Sequence, residues 1–383
     1  MDQTEITPTP VQSKPRPHWG RWIAAALLLI VALILFLTHP KPQRSDSQQY
    51  NDQPDNDQPA ASTACDAPTP VFTADFTDPA LIKLVNPLGG LNVGSASRSY
   101  VQVAKDASGQ YQTVPVYVPV DATLTGIFHK RADYGELGVR SEYRLEFMVD
   151  CNVTFALDHI ANVTDAIAAA GPAEASPTSN IGNSVSIPVK AGDALGSTDG
   201  TKLSGSWDFY LFNRSKKSYH VNPDRWESDH NNYADCPYDY FTDEIAAQYY
   251  AKLALWDGQK AAGLTCGQAS HDKAGTAAGG WFKDDSTDMR GVHLLLSNTA
   301  TMVEVLREES ETSIERNNPR FGFRTYTYTK QPKDMTVGDA QCYSGDSKYL
   351  FARLTTADTL ETARGTGSCP STFPTADVEV WQR

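Results

Sequence analysis

The chain reads as a mainly β protein with some helix, carried behind a single apolar segment near its N-terminus, and three observations lead there. Gly and Pro number 26 and 23 in 383 residues, as a fold of short strands and frequent turns requires. From residue 71 onward, runs of alternating apolar and polar residues recur between Gly, Pro and Asp turns. One earlier run, WIAAALLLIVALILFL at 22–37, contains no charge, Gly or Pro. The charge balance adds an exclusion. With 46 acidic against 33 basic side chains the formal net charge is −13, which disfavours phosphate-backbone binding, so no nucleic-acid partner is expected.

Residues 1–20, including TPTPVQSKPRP, are expected to form a disordered cytoplasmic tail. Residues 21–38 are expected to be a transmembrane signal anchor and the chain's contact with the membrane. The run is near the shortest that spans a hydrocarbon core of about 30 Å, and no small-residue cleavage site follows it. Lys14, Arg16 and Arg21 precede the run, while Lys41 and Arg44 lead into an acid-rich stretch, which places the N-terminus inside. Residues 39–64 have too little apolar surface to offset their ordering entropy and read as a disordered tether.

All six cysteines lie beyond the anchor, and none forms a Cys-x-x-Cys pair, so disulfides on the extracytoplasmic face are the economical reading. Proximity in the chain suggests Cys342 with Cys369 and Cys236 with Cys266; Cys65 and Cys151 are the remaining disulfide candidates. The protein is therefore expected to be single-pass, with its C-terminal part outside.

Strand-like runs follow in order: SYVQVA, TVPVYVPV, ATLTGIF, EYRLEFMV, VTFALDHI, SVSIPVKAGDALG and SWDFYLFN. A short helix is expected at VTDAIAAAG, with Thr164 or Asp165 as cap and Gly171 as stop. These runs define a β domain over 65–215. In 216–265 the spacing of Ile245, Tyr249, Leu253 and Trp256 predicts a core-facing helix capped by Thr242 or Asp243, read as a helical insertion. After Cys266 the runs AGGWF, VHLLLS, TMVEVL, FGFRTYTYTK, KYLFARL and DVEVW predict a second β-rich domain over 266–383, which with the helical insertion makes a smaller α+β part.

The stretch from TVPVYVPVDATLTGI through EYRLEFMVDCNVTFALDHI to VSIPVKAGDALGSTDGT and WDFYLF resembles the β-sandwich of lysostaphin/LytM-type zinc endopeptidases, the duplicated hybrid motif, over roughly 84–213. Val114–Thr125 matches the first strand pair, Leu157–Ile160 the Tyr-x-His-Leu element and Val189–Gly196 the VKAGD hairpin, in the family's order. Biotinyl and lipoyl carriers share that hairpin but need a lysine at its tip, whereas Lys190 is read here within a strand.

The family's zinc motifs, His-x-x-x-Asp and His-x-His, are missing. Ser95 or a neighbour stands where the first histidine would be, and Trp207-Asp208-Phe209 replaces the second motif. The resemblance implies that His159 matches the family's assisting histidine and that Asp208 occupies a ligand position. These two are the remnant candidates, with no catalytic or metal-binding residue and no cofactor expected. His129 and Asp133 have the spacing of the first motif but follow the strand pair, and read as a surface loop pair. His220, Asp229 and His230 read as a solvated excursion; His271 with Asp272, and His293, read as structural.

Trp207, Trp226, Tyr233, Tyr238 and Tyr240 lie among acids and amides, a mixture that suits either a sugar face or a core. The resemblance without ligands implies a non-catalytic envelope module, a pseudoenzyme that binds cell-wall peptide or glycan or regulates a partner hydrolase. A zinc-dependent endopeptidase built on His159, Asp208 and another histidine is the alternative. A structural or adhesion protein is the second.

Overall fold

In the computed structural model the described residues run from 65 to 383, apart from 89–96, 178–180, 217–219, 227–231, 256–257, 259, 261–264, 267–271, 288–290, 299–302, 311–320 and 326. The expected tail, anchor and tether lie outside them. Among the described residues no helix is long and apolar enough to cross a membrane. All of these residues belong to one compact unit, Asp52–Arg383, which is mainly β.

The first half supplies ten strands: β1 (Ile82–Val85), β2 (Arg98–Val103), β3 (Val114–Tyr117), β4 (Ala122–Asp133), β5 (Val139–Met148), β6 (Val153–Ile160), β7 (Asn162–Val163), β8 (Gly182–Val189), β9 (Ala194–Thr198) and β10 (Ser206–Asn213). Helix α1 (Asp165–Ala170) follows β7, with Thr164 at its N-cap and Gly171 at its C-cap, the two ends its sequence marks. Seven strands form an antiparallel sheet in the order β1-β2-β10-β6-β5-β4-β8, and β3-β9-β7 form a second. Both sheets feed one core: Val114, Val116 and Leu195 from the small sheet meet Leu124, Leu145, Phe147, Leu157 and Phe209 from the large one. Each such side chain stabilises the fold by roughly 1.5–3 kcal/mol when removed from water.

The segment expected as a helical insertion packs into this same core. Helix α2 (Asp243–Ala251) is preceded by Thr242 at its N-cap, and Tyr249 on it is buried with Tyr238, Tyr240, Phe241 and Leu253 beside Phe72 and Phe76. Leu253 reaches the core from just past the end of the helix; Trp256 lies outside the described residues. Phe72 clamps the segment through backbone bonds, its N–H donating to Tyr240 O and its carbonyl accepting from Thr242 N.

The last third is all strand: β11 (Gly279–Phe282), β12 (Gly291–Asn298), β13 (Val303–Ser310), β14 (Phe321–Thr325), β15 (Ala340–Gly345), β16 (Lys348–Thr356), β17 (Thr359–Thr366) and β18 (Glu379–Gln382). Their order is β14-β13-β12-β11-β18-β17-β16-β15, two meanders joined where β18 returns to β11, and the edge strands β14 and β15 lie close together. Trp281, Trp381, Tyr343, Leu294, Leu296, Leu350, Leu354 and Leu360 fill its interior. The expected second β-rich domain is an eight-stranded antiparallel sheet curled around its own core, with no α-helix among the described residues, while the helix of the expected α+β part packs into the first core.

Three cysteine pairs stand at disulfide distance. Cys236–Cys266 and Cys342–Cys369, the pairs suggested by proximity, have Cα separations of 5.5 and 5.9 Å, and Cys65–Cys151 closes at 6.1 Å. With no cysteine left over, this usage fits an extracytoplasmic domain.

Candidate functional site

Strand β10 carries the sequence SWDFYLFN, and all eight of its residues are buried. Trp207, Phe209 and Leu211 point into the core, while Asp208, Tyr210 and Phe212 alternate onto the other face. A charge is thus set in the middle of a sheet covered on both sides. In the neighbouring strand β6, Asp158 lies directly opposite Asp208.

The register between β5 and β6 slips at this point. Leu145 faces Leu157 but Tyr143 faces Ile160, so Asp158 and His159 together oppose one residue of β5, a bulge. His159 takes φ 66°, a left-handed conformation that non-glycine residues adopt at a cost of about 1–3 kcal/mol. Its carbonyl is held by the Thr198 hydroxyl at 2.5 Å. The bulge turns the imidazole out of the core and toward the charges.

His159 Nδ1 lies 2.6 Å from Glu142 Oε2, and Nε2 lies 3.8 Å from Asp208 Oδ2. Each carboxylate also has its own cation. Lys130 Nζ is 2.6 Å from Asp158 Oδ1, Arg98 Nε is 3.3 Å from Asp208 Oδ2, and Arg140 is 2.7 Å from Glu142 Oε1. Tyr134 donates to Glu142 at 2.5 Å, and Tyr210 takes a bond from Arg98 while donating to Asp208 at 3.3 Å. Arg140 also binds Asp199 at 2.6 Å and the Gly200 carbonyl. The cluster crosses five adjacent strands, β2, β10, β6, β5 and β4.

The carboxyls respond differently to this setting. Burial opposes ionisation of Glu142, but the bonds from His159 and Tyr134 and the Arg140 charge outweigh it and hold the carboxyl at about 2. Asp158 behaves alike: burial is outweighed by Lys130, His159 and Arg144, and its carboxyl lies well below the ordinary range. For Asp208 burial wins over Arg98 and His159, and its carboxyl is raised. Tyr134, buried beside Glu142, is pushed far above its ordinary value.

The structure therefore brings together the two remnant candidates, His159 and Asp208. With Asp158 they form a buried group whose ligand atoms all lie within 4.8 Å of one another, a spacing that could face a metal ion. Asp158, Glu142, Lys130, Arg98, Arg140 and Tyr134 went unnoticed in the sequence. The available signal was charge inside runs that are apolar on both faces, as in WDFYLF and FALDHI.

The other candidates fall elsewhere. His129 and Asp133 both lie on β4 and not in a loop; His129 stacks on Tyr143 at 4.2 Å, and Asp133 accepts the Gly135 N–H. His220 is buried against Trp226 at 3.9 Å and faces Asp272 at 3.5 Å, where Arg383 also binds, so it is no solvated excursion. Ser95, Asp229, His230 and His271 lie outside the described residues. His293 is buried in β12 near Phe282. Trp207, Tyr238, Tyr240 and Trp226 are buried too, which removes them from any sugar face because their rings already pack against the interior.

Lys190 does not sit in a strand: β8 ends at Val189, and the exposed lysine opens the following turn, bonded to Asp121 at 2.8 Å. Since β8 and β9 belong to different sheets, that turn is not a carrier's tight hairpin.

Among the described residues, two surface grooves are large enough to take part of a ligand. One of about 360 Å³ is lined by Lys83, Gln102, Val103, Ala104, Lys105 and Tyr111; in it the Lys105 ammonium lies 4.7 Å from the Tyr111 ring centre. A second of about 260 Å³, between α1, β8 and β9, is mostly apolar. No protein family, curated protein or solved structure compared with this chain matches it.

Proposed function

We propose that this protein is a non-catalytic module of the cell envelope, held by its N-terminal segment on the extracytoplasmic side, that binds cell-wall peptide or glycan or regulates a partner hydrolase. The observation that carries the reading is the charge balance at the remnant site. Three buried carboxylates are met by two buried cations, Lys130 and Arg98, and by the part-buried Arg140 at 2.6 to 3.3 Å. A divalent ion there would compete with Lys130 and Arg98 for the same carboxylates and would place its own charge beside two buried cations. The position that a metallopeptidase gives to zinc is, in this reading, filled by the protein's own side chains.

The ligand's place is the groove of Lys83, Lys105 and Tyr111. Two exposed lysines suit the carboxylates of wall peptides, and an aromatic ring suits the CH face of a sugar. Sedimentation of the purified full chain with isolated cell-wall material, assayed alongside release of wall fragments, tests the reading. Retention without turnover supports it. Turnover that is abolished by a chelator and by His159→Ala would refute it in favour of the zinc endopeptidase.

A further inference from the structure

The geometry points to a covalent cross-link in the same sheet: an intramolecular isopeptide bond between Lys130 on β4 and Asp158 on β6. The two groups are 2.6 Å apart, and their side chains are only 7% and 2% exposed. No other described lysine is paired this way. Lys190, Lys216, Lys330 and Lys283 meet their carboxylates with 74%, 48%, 45% and 29% of the side chain exposed, where water competes with an amine for an acyl carbon. Arg98 and Arg140, the neighbouring cations, carry guanidinium groups that remain protonated and cannot serve as nucleophiles. Within the cluster only Lys130 can react.

The bond needs no outside reagent. Lys130 Nζ attacks Cγ of Asp158; the C–N bond forms, one C–O bond breaks, and two of the ammonium's protons leave with that oxygen as water. Counted from the ion pair, one ammonium and one carboxylate give one secondary amide and one water, with no charge left over.

A third group must carry the proton from nitrogen to the departing oxygen. Asp208 is placed for this, directly opposite Asp158 in the β10–β6 register and within 4.8 Å of it through their carboxyl oxygens. Condensation replaces two buried charges by a neutral amide, and burial keeps out the water that would hydrolyse it. The result would tie β4 to β6 across β5, so that three central strands could not separate under traction or when the envelope is exposed to denaturants. This inference goes beyond the binding role: in a cross-linked chain the Lys130–Asp158 pair of the charge balance becomes a neutral amide, which also removes Asp158 as a metal ligand.

The test is the mass of the purified full chain after reduction of its disulfides, followed by proteolysis and fragmentation of the peptides. The expected result is a chain lighter than its sequence by one water, a branched peptide joining the segments around Lys130 and Asp158, and full mass in Lys130→Arg, which keeps the charge but cannot condense. Asp208→Asn, which leaves both partners in place, should accumulate uncross-linked chain. A wild-type chain of full mass, yielding linear peptides that contain Lys130 and Asp158, overturns the inference. So does a lost water that fragmentation locates elsewhere, such as a succinimide at another aspartate. The wild-type digest decides the matter even if a variant fails to fold.

Discussion

Replacing Glu142 by Gln keeps the shape of the side chain and removes only its charge. In the folded protein that carboxylate accepts from His159 at 2.6 Å, Tyr134 at 2.5 Å and Arg140 at 2.7 Å, and it is fully buried. Despite a burial cost, its pKa falls from the ordinary 4.5 to about 2. At 1.36 kcal/mol per unit this favours the ionised form in the fold by about 3 kcal/mol. Glu142→Gln should lose about that much, a fall in melting temperature of roughly 6–12 °C for a core of this size.

The sign of the pH dependence follows from the direction of the shift. Because the folded value lies below the unfolded one, the contribution is complete above about 4.5 and is lost as pH falls toward 2. Asp158, in chains that keep it as a free carboxylate, acts in the same direction, whereas Asp208, raised by burial, acts in the opposite one. Thermal unfolding of wild type and variant, followed by circular dichroism from pH 7 downward, should show a wide gap that closes between those limits. A gap under about 0.5 kcal/mol at pH 7 would refute the reasoning. A gap unchanged down to pH 2 would assign the loss to packing instead of charge.

Other consequences are as direct. Converting Cys236 and Cys266, separated by 30 residues, to alanine should cost about 3–4 kcal/mol in the chain-entropy account, measured by urea denaturation of the chain with and without that pair. Trp381→Ala, which empties the centre of the eight-stranded sheet and removes the indole bond to Thr362 at 2.8 Å, should destabilise that sheet by about 3–5 kcal/mol and flatten the near-ultraviolet dichroism. The paired change Lys83→Gln with Lys105→Gln should weaken retention on wall material about tenfold or more while leaving the melting temperature within a degree or so, since both side chains are exposed.

The β architecture was legible because alternation in strands such as β5 and β16, broken by Gly, Pro and Asp turns, is a local signal. The caps of α1 and α2 were local too: Thr164, Gly171 and Thr242 stand where the helices begin or end. What the sequence withheld was long-range. Period-two runs after Cys266 gave strands but not their number in one sheet, and nothing in them announced that β18 would close back on β11.

The candidate site shows the same division. Asp208 and His159 stood out only through the motif positions of the resemblance, yet their partners come from β2, β4 and β5, and 110 residues separate Asp208 from Arg98. The bulge that turns His159 toward Glu142 depends on which β5 residue faces which on β6. Pairing of that kind is set by the whole sheet, so it is invisible to a reading of either strand alone.

The measurement that bears most directly on the account is the zinc content of the purified full chain, by elemental mass spectrometry after dialysis against metal-free buffer. A cluster neutralised by Lys130, Arg98 and Arg140 predicts no stoichiometric zinc, in the wild type as in His159→Ala. A single zinc per chain that disappears in His159→Ala would contradict it, and would make Asp158, His159 and Asp208 the ligands of a working metal centre.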